Sequence, residues 1–93
     1  MSKIIIYYAS VSGSREIKQR QEEVMRVLDI YKIKYELIDI AVSTEVLEEM
    51  RTKVASPKAI PPQIFNGQEY CGDYQKLYKQ VAENSLNIFL KLH

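Results

Sequence analysis

Apolar positions along this chain follow two different periods, and the switches between them mark out its elements. "KIIIYYAS" (Lys3–Ser10) is an unbroken apolar, β-branched and aromatic run, the pattern of a central strand covered on both faces. It breaks at "SVSGS", a cluster of small polar residues around Gly13. From Ser14 the period changes: Ile17, Gln21, Val24, Val27 or Leu28, and Tyr31 fall three or four apart, with Lys18, Arg20, Glu22, Glu23 and Arg26 elsewhere. That spacing predicts an amphipathic helix with Ser14 as its N-cap. "IKYELIDI" returns to strand composition, with Tyr35, Leu37 and Asp39 facing one way and Ile38 and Ile40 the other. A strand–helix–strand run of this length predicts a right-handed crossover between parallel strands.

Ser43 or Thr44 is placed to cap a second helix, in which Leu47, Met50 and Val54 form the apolar stripe and Glu45, Glu48, Glu49 and Arg51 the wet face. Its acids gather in the first turns, where the helix dipole favours them. "ASPKAIPP" reads as a connector. In "PQIFNGQEYC" the Asn66-Gly67 pair between two strand-like segments predicts a type I′ hairpin turn, which needs positive φ at both central residues. Asp73 can cap a third helix with Tyr74, Leu77, Tyr78 and Val81 inward, and "NSLNIFLKL" adds a short last helix with Leu86, Phe89 and Leu90 or Leu92 apolar. The predicted order is β-α-β-α-β-β-α plus a terminal helical turn, an α/β arrangement in one domain over residues 1–93.

Composition narrows the function more by exclusion than by suggestion. The 93 residues are 46% hydrophobic and 27% charged, as in an ordinary folded domain. Thirteen basic side chains against 12 acidic ones leave a net charge of +1, which gives no electrostatic reason to expect nucleic acid or an anionic membrane as partner. "IIIYYA" is far shorter than the roughly 20 residues of a spanning helix, and "MSKIII" enters strand sequence at once, without room for a signal or transit peptide. The lone Cys71 rules out an internal disulfide and a thiolate zinc site. A small unstapled domain with a free thiol fits a reducing compartment, so a cytoplasmic location is expected, with the nucleus also open to a chain of this size.

Candidate chemistry is sparse. Ser12, Gly13 and Ser14 lie where a strand enters a helix, a place where backbone N–H groups can meet an anion. No Gly-Lys-Ser/Thr follows, Gly13 stands alone, and the single histidine, His93, is at the far end of the chain, so the serines have no evident base. Cys71 has no neighbouring Lys or His in sequence to lower its pKa and reads as packing. The tyrosines fit core positions with an edge hydroxyl, and the carboxylates fit solvated helix faces. Pro57, Pro61 and Pro62 lack the P-x-x-P spacing of an SH3 ligand, whereas Pro61, Pro62 and Phe65 match the P-P-x-x-F pattern read by one class of EVH1 domain. The same residues feed a strand, and a segment cannot be both a buried strand and an exposed ligand.

Taken in order, these features resemble a thioredoxin-like fold of the glutaredoxin type. "IPPQIFNGQEYCGDY" carries the likeness: Pro62 falls on the cis-proline, Asn66-Gly67 on the hairpin, Cys71-Gly72 on a pair of glycines, and Asp73 near the acid that opens the last helices. "SGSREIK", "PPQIFNG" and "YCGDY" together are similar to the SH3 domain-binding glutamic acid-rich-like family, from the first strand to the last helix. The length, without an acidic C-terminal tail, resembles its shortest member. The resemblance implies a four-stranded mixed sheet flanked by helices. Glutaredoxins place C-x-x-C or C-x-x-S where this chain has "SVSGSR", so it implies a vestigial active-site loop at Ser12, Gly13 and Ser14 and no nucleophile for thiol–disulfide exchange.

The same resemblance implies a glutathione groove over Ser12–Ser14, Pro61–Ile64 and Gly72–Asp73, with Gln63, Ile64, Gly72 and Asp73 as its contacts. Cys71 in place of a glycine would obstruct close backbone approach, which counts against glutathione binding. The expectation is a monomeric, catalytically inactive protein without cofactor or metal. It would modulate glutaredoxins or act as a scaffold for signalling domains. The alternative is an adaptor bound by EVH1 or SH3 domains through Pro61, Pro62 and Phe65, and burial of Phe65 would remove it for the folded chain. A third reading, an enzyme working through Cys71, requires a reactive thiol.

Overall fold

A computed structural model describes residues 3–92. Strand β1 (Ile4–Tyr8) leads into helix α1 (Arg15–Ile30), strand β2 (Tyr35–Asp39), a single 3₁₀ turn (Ile40–Val42) and helix α2 (Thr44–Val54). The hairpin β3 (Gln63–Asn66) and β4 (Glu69–Asp73) follows, then helices α3 (Tyr74–Ala82) and α4 (Leu86–Phe89). The sheet order is β2-β1-β3-β4, with β2 parallel to β1, β3 antiparallel to β1 and β4 antiparallel to β3. A crossover of helical length between β1 and β2 and a tight turn between β3 and β4 dictate those directions.

Alternation along the central strands divides the core in two. Ile4, Ile6, Ile64 and Cys71 point to one face and pack with Val24 and Leu28 of α1, Leu77 of α3, and Leu86, Phe89 and Leu90. Tyr7 and Phe65 point to the other, against Met50 of α2 and Ala59, with their rings edge-on at 5.4 Å. The central strands are therefore covered on both sides, which is why β1 reads as a continuous apolar run. On the α2 side the Tyr7 hydroxyl donates to Glu49 at 2.7 Å and accepts from Lys53 at 3.1 Å, so its polar end is satisfied at the rim of the core. Burial comes first and the Glu49 hydrogen bond second in raising the Tyr7 pKa.

Ser14, Ser43 and Asp73 cap α1, α2 and α3, each side chain accepting the N–H three residues on. Of the two candidates for the α2 cap, Ser43 takes the role and Thr44 is the first helical residue. Three details depart from the sequence reading. Tyr78, expected inward, is 47% exposed, because the core stripe of α3 centres on Leu77. Tyr31, placed on the α1 stripe, is half exposed at the helix C-cap. In the hairpin, Asn66 is the last strand residue, paired with Glu69, and the turn residues are Gly67 and Gln68. Of the two, only Gly67 has positive φ, at 60°, the arrangement of a II′ rather than a I′ turn. Asn66 is thereby freed to face the core, where its Nδ2 donates to the carbonyls of Leu90 (2.8 Å) and Lys91 (3.3 Å).

Candidate binding site at the first strand–helix junction

The carboxyl ends of β1 and β2, the start of β3 and the end of β4 share one rim of the sheet. The loop leaving β1 is fastened there by two polar side chains, Gln21 on the inward stripe of α1 and Asp39 at the end of β2. Gln21, buried in α1, accepts from the Ala9 N–H at 2.8 Å and donates to the Ala9 carbonyl at 3.1 Å, a strand-like pairing made by an amide side chain. Asp39 accepts from the N–H groups of Ser10 (3.0 Å) and Ala41 (2.9 Å), tying the ends of β1 and β2 together. Hydrogen bonds from Ser10, then that from Ala41, favour its ionised form and lower its pKa.

Within the loop, the hydroxyls of Ser12 and Ser14 are occupied by local backbone. Ser12 Oγ accepts from the Ser14 N–H at 3.1 Å and donates to the Ser14 carbonyl at 3.3 Å, while Ser14 Oγ caps the Ile17 N–H at 3.3 Å. Gly13 borders open space, and Val11 beside it is 80% exposed. No imidazole or thiol lies in this loop, and His93 falls outside the described residues.

Across the rim, the Pro61–Pro62 peptide bond is cis and both prolines are buried. Gln63 Nε2 donates to the Ile60 carbonyl at 2.7 Å, Gln63 Oε1 accepts from the Tyr70 hydroxyl at 2.6 Å, and Arg51 Nε donates to the Ala59 carbonyl at 3.1 Å. Burial, with the charges of Asp73 and Cys71 behind it, pushes the Tyr70 pKa up to about 12. Beside the prolines lies a depression of about 50 Å³ lined by Arg20, Ile60, Pro62, Gln63, Asp73 and Tyr74 among others. Ordinary small-molecule pockets are about 300–1,000 Å³, so this one holds little more than water. Tyr74 forms its outer wall, its hydroxyl donating to Glu23 at 3.0 Å and its ring beneath the Arg20 guanidinium at 5.3 Å. Desolvation and then Glu23 push the Tyr74 pKa up to about 12.

Of the expected groove residues, Pro61, Pro62, Gln63 and Asp73 line this depression, and Ser12, Gly13 and Ser14 do not. Ile64 is fully buried, with its backbone laddered between Ile6 and Gly72. Gly72 faces inward: a Cβ there would stand 2.9 Å from the Phe89 ring and 2.7 Å from Lys76 Cδ. Its missing side chain makes room for α3 and α4, not for a ligand. Arg20 and Gln75 were not anticipated, and the only sequence signal for them was adjacency, one residue before Gln21 and two after the Asp73 cap.

Phe65 is 1% exposed in a central strand, which corrects the adaptor reading for the folded chain: Pro61, Pro62 and Phe65 are all buried and cannot be read as an extended ligand. Cys71 is 2% exposed and packs on the α4 side of the sheet. Burial leads the causes that raise its pKa, with Lys91 and Lys76 opposing. A wider open depression of about 570 Å³ lies at the opposite rim, among Lys3, Ile33, Lys34, Tyr35 and Glu36, and it holds no thiol. Among the described residues no three His, Cys, Asp or Glu side chains come together as metal ligands, and no helix is long and apolar enough to cross a membrane.

This arrangement can be set beside known proteins. The family model described as SH3-binding, glutamic acid-rich protein matches residues 2–93. The chain belongs to that family. It is 35% identical over 99 residues to the SH3 domain-binding glutamic acid-rich protein homolog of Drosophila melanogaster, covering 94% of this chain and 63% of that protein, so it spans less than two thirds of that relative. The fold of this SH3-binding, glutamic acid-rich family member is similar to actin interacting protein Aip5 of C. albicans, with a TM-score of 0.78 at 21% identity over 96% of this chain and 88% of that one. It is also similar to buckwheat glutaredoxin in its glutathione complex, with a TM-score of 0.71 at 12% identity over 97% and 77%. The fold is thus thioredoxin-like, of the glutaredoxin type.

Proposed function

We propose that this chain is a catalytically inactive, glutaredoxin-like protein that works by binding other proteins, as a modulator of glutaredoxins or as a scaffold. The observation that carries the reading is the β1–α1 junction: Ser12 and Ser14 spend their hydroxyls on the loop and helix cap, while the one cysteine is buried in β4. A thiolate is the nucleophile of thiol–disulfide exchange, and neither a neutral serine nor a buried thiol with a raised pKa supplies one. The small volume beside Pro62 argues against glutathione as a resident ligand. The exposed Val11, Val42 and Ile60 follow β1, follow β2 and precede β3, so they share the rim and offer apolar contact to a protein partner. SH3 binding, which the family description suggests, would have to use such a surface rather than Pro61–Phe65. The free thiol favours a cytoplasmic setting, with the nucleus accessible.

The test is reduction of a small glutathione mixed disulfide by reduced glutathione in the presence of the protein. The expected rate equals the uncatalysed one. Turnover that disappears in Cys71→Ser would overturn the reading. A parallel titration with reduced glutathione, followed by backbone amide shifts, is expected to leave Ser12–Ser14, Gln63 and Asp73 unmoved at millimolar ligand.

A further inference from the structure

Asn66 is followed by Gly67, the neighbour that least obstructs attack of a backbone nitrogen on an asparagine side chain, since it has no Cβ. In that reaction the Gly67 nitrogen loses its proton to solvent base and bonds to Asn66 Cγ. The Cγ–Nδ2 bond breaks, ammonia leaves, and a five-membered imide remains. Water opens the imide at either carbonyl, leaving aspartate or isoaspartate at position 66.

In this fold both reacting groups are held. The Gly67 N–H donates to the Lys3 carbonyl at 2.8 Å. The Asn66 amide is 7% exposed and donates to the carbonyls of Leu90 and Lys91, the two residues that follow α4. Attack requires both to let go, so it requires the C-terminal turn to lift off Asn66 and the Lys3 carbonyl to release Gly67. The product cannot restore the contact. A carboxylate has no proton for the two carbonyl oxygens and would place a negative charge against them in a buried position.

We propose that Asn66-Gly67 is a latent deamidation site, kept silent by the docked C-terminal turn, and that its conversion releases that turn irreversibly. Each opening of the turn frees Asn66, reaction follows when Gly67 also leaves the Lys3 carbonyl, and the modified protein records the event as a permanently loosened C-terminal segment. Asn84 and Asn87, both exposed, are internal controls: Ser85 and Ile88 follow them where Asn66 is followed by Gly67.

The experiment incubates the full chain at mildly alkaline pH, native and in concentrated urea, and follows amide-to-acid conversion by peptide mass spectrometry. In urea Asn66 is expected to convert well ahead of Asn84 and Asn87. In the native protein its conversion is expected to be slower by on the order of tenfold or more, the factor imposed by a local opening equilibrium. Equal native and urea rates at Asn66 would overturn the proposal, and this comparison needs no variant. In Asn66→Asp, hydrogen exchange at the amides of Leu90, Lys91 and Leu92 is expected to accelerate while β1 and β3 stay protected. Unchanged protection at those three amides would show that the turn is not released.

Discussion

Asp39 shows how one side chain at this rim couples the loop to pH. Its folded pKa is lowered by the hydrogen bonds from Ser10 and Ala41, so its contribution to stability is present above the ordinary carboxylate value of about 3.9 and is lost as pH falls through the lower folded value. Asp39→Asn is therefore expected to flatten the acid limb of stability against pH, measured by urea unfolding at a series of pH values. An acid limb identical to that of the parent would mean the carboxylate is not coupled to folding. The tyrosines act at the other end of the scale. Tyr70 and Tyr74, both with pKa values near 12, favour the neutral form in the fold, so their contribution is complete below about 10 and lost as pH rises toward 12. Tyrosinate absorbance should show these two ionising only as pH approaches 12, an amplitude that Tyr70→Phe would reduce by one group.

At the scale of elements, helix starts and helix stops obey different chemistry here. The starts of α1, α2 and α3 are side-chain caps that a reader of the sequence can find, and Ser43→Ala should cost about 1 kcal/mol by leaving the Val46 N–H without its partner. The stops are not signalled by glycine. Lys32, Ala55 and Asn84 take positive φ (59°, 64° and 56°) at the ends of α1, α2 and α3, and the next residue's N–H returns to the carbonyl five back, as Ser56 does to Arg51 at 3.0 Å. Alanine in that conformation is strained, so Ala55→Gly should relieve about 1 kcal/mol of backbone strain, less a few tenths regained by the more flexible unfolded chain. Chemical denaturation would read both changes, and a destabilised Ala55→Gly would contradict the strain.

For the whole molecule, the decisive contact is the seat of α4 on the sheet. Gly72 has φ of 150°, and its open side receives the Phe89 ring and the Lys76 stem. Gly72→Ala should cost roughly 1–3 kcal/mol, because the Lys76 end can swing aside but the buried Phe89 cannot. Thermal unfolding together with exchange of the Leu90–Leu92 amides would separate a lifted α4 from a uniform loss. The same seat holds Asn66 against Leu90 and Lys91, so the hairpin and the chain end are parts of one assembly.

The apolar periods together with the local cap and turn residues settled the order of elements, the parallel crossover, the presence of the hairpin and the caps of α1 and α3. The choice of Ser43 over Thr44 and the turn type came from the structure. The absence of a thiol at the first strand–helix junction was also legible, since it is a matter of residue identity. What the tertiary structure decided is where a residue's neighbours come from distant segments. Phe65 is a ligand pattern in the sequence and a core residue in the sheet, because β1 and α2 close over it. Gly72 reads as a backbone site and turns out to be a seat for Phe89, and Asn66 reads as a turn residue and turns out to be a clamp 24 positions from its partner. Packing assigns those roles, and local sequence does not contain the partners that do the packing.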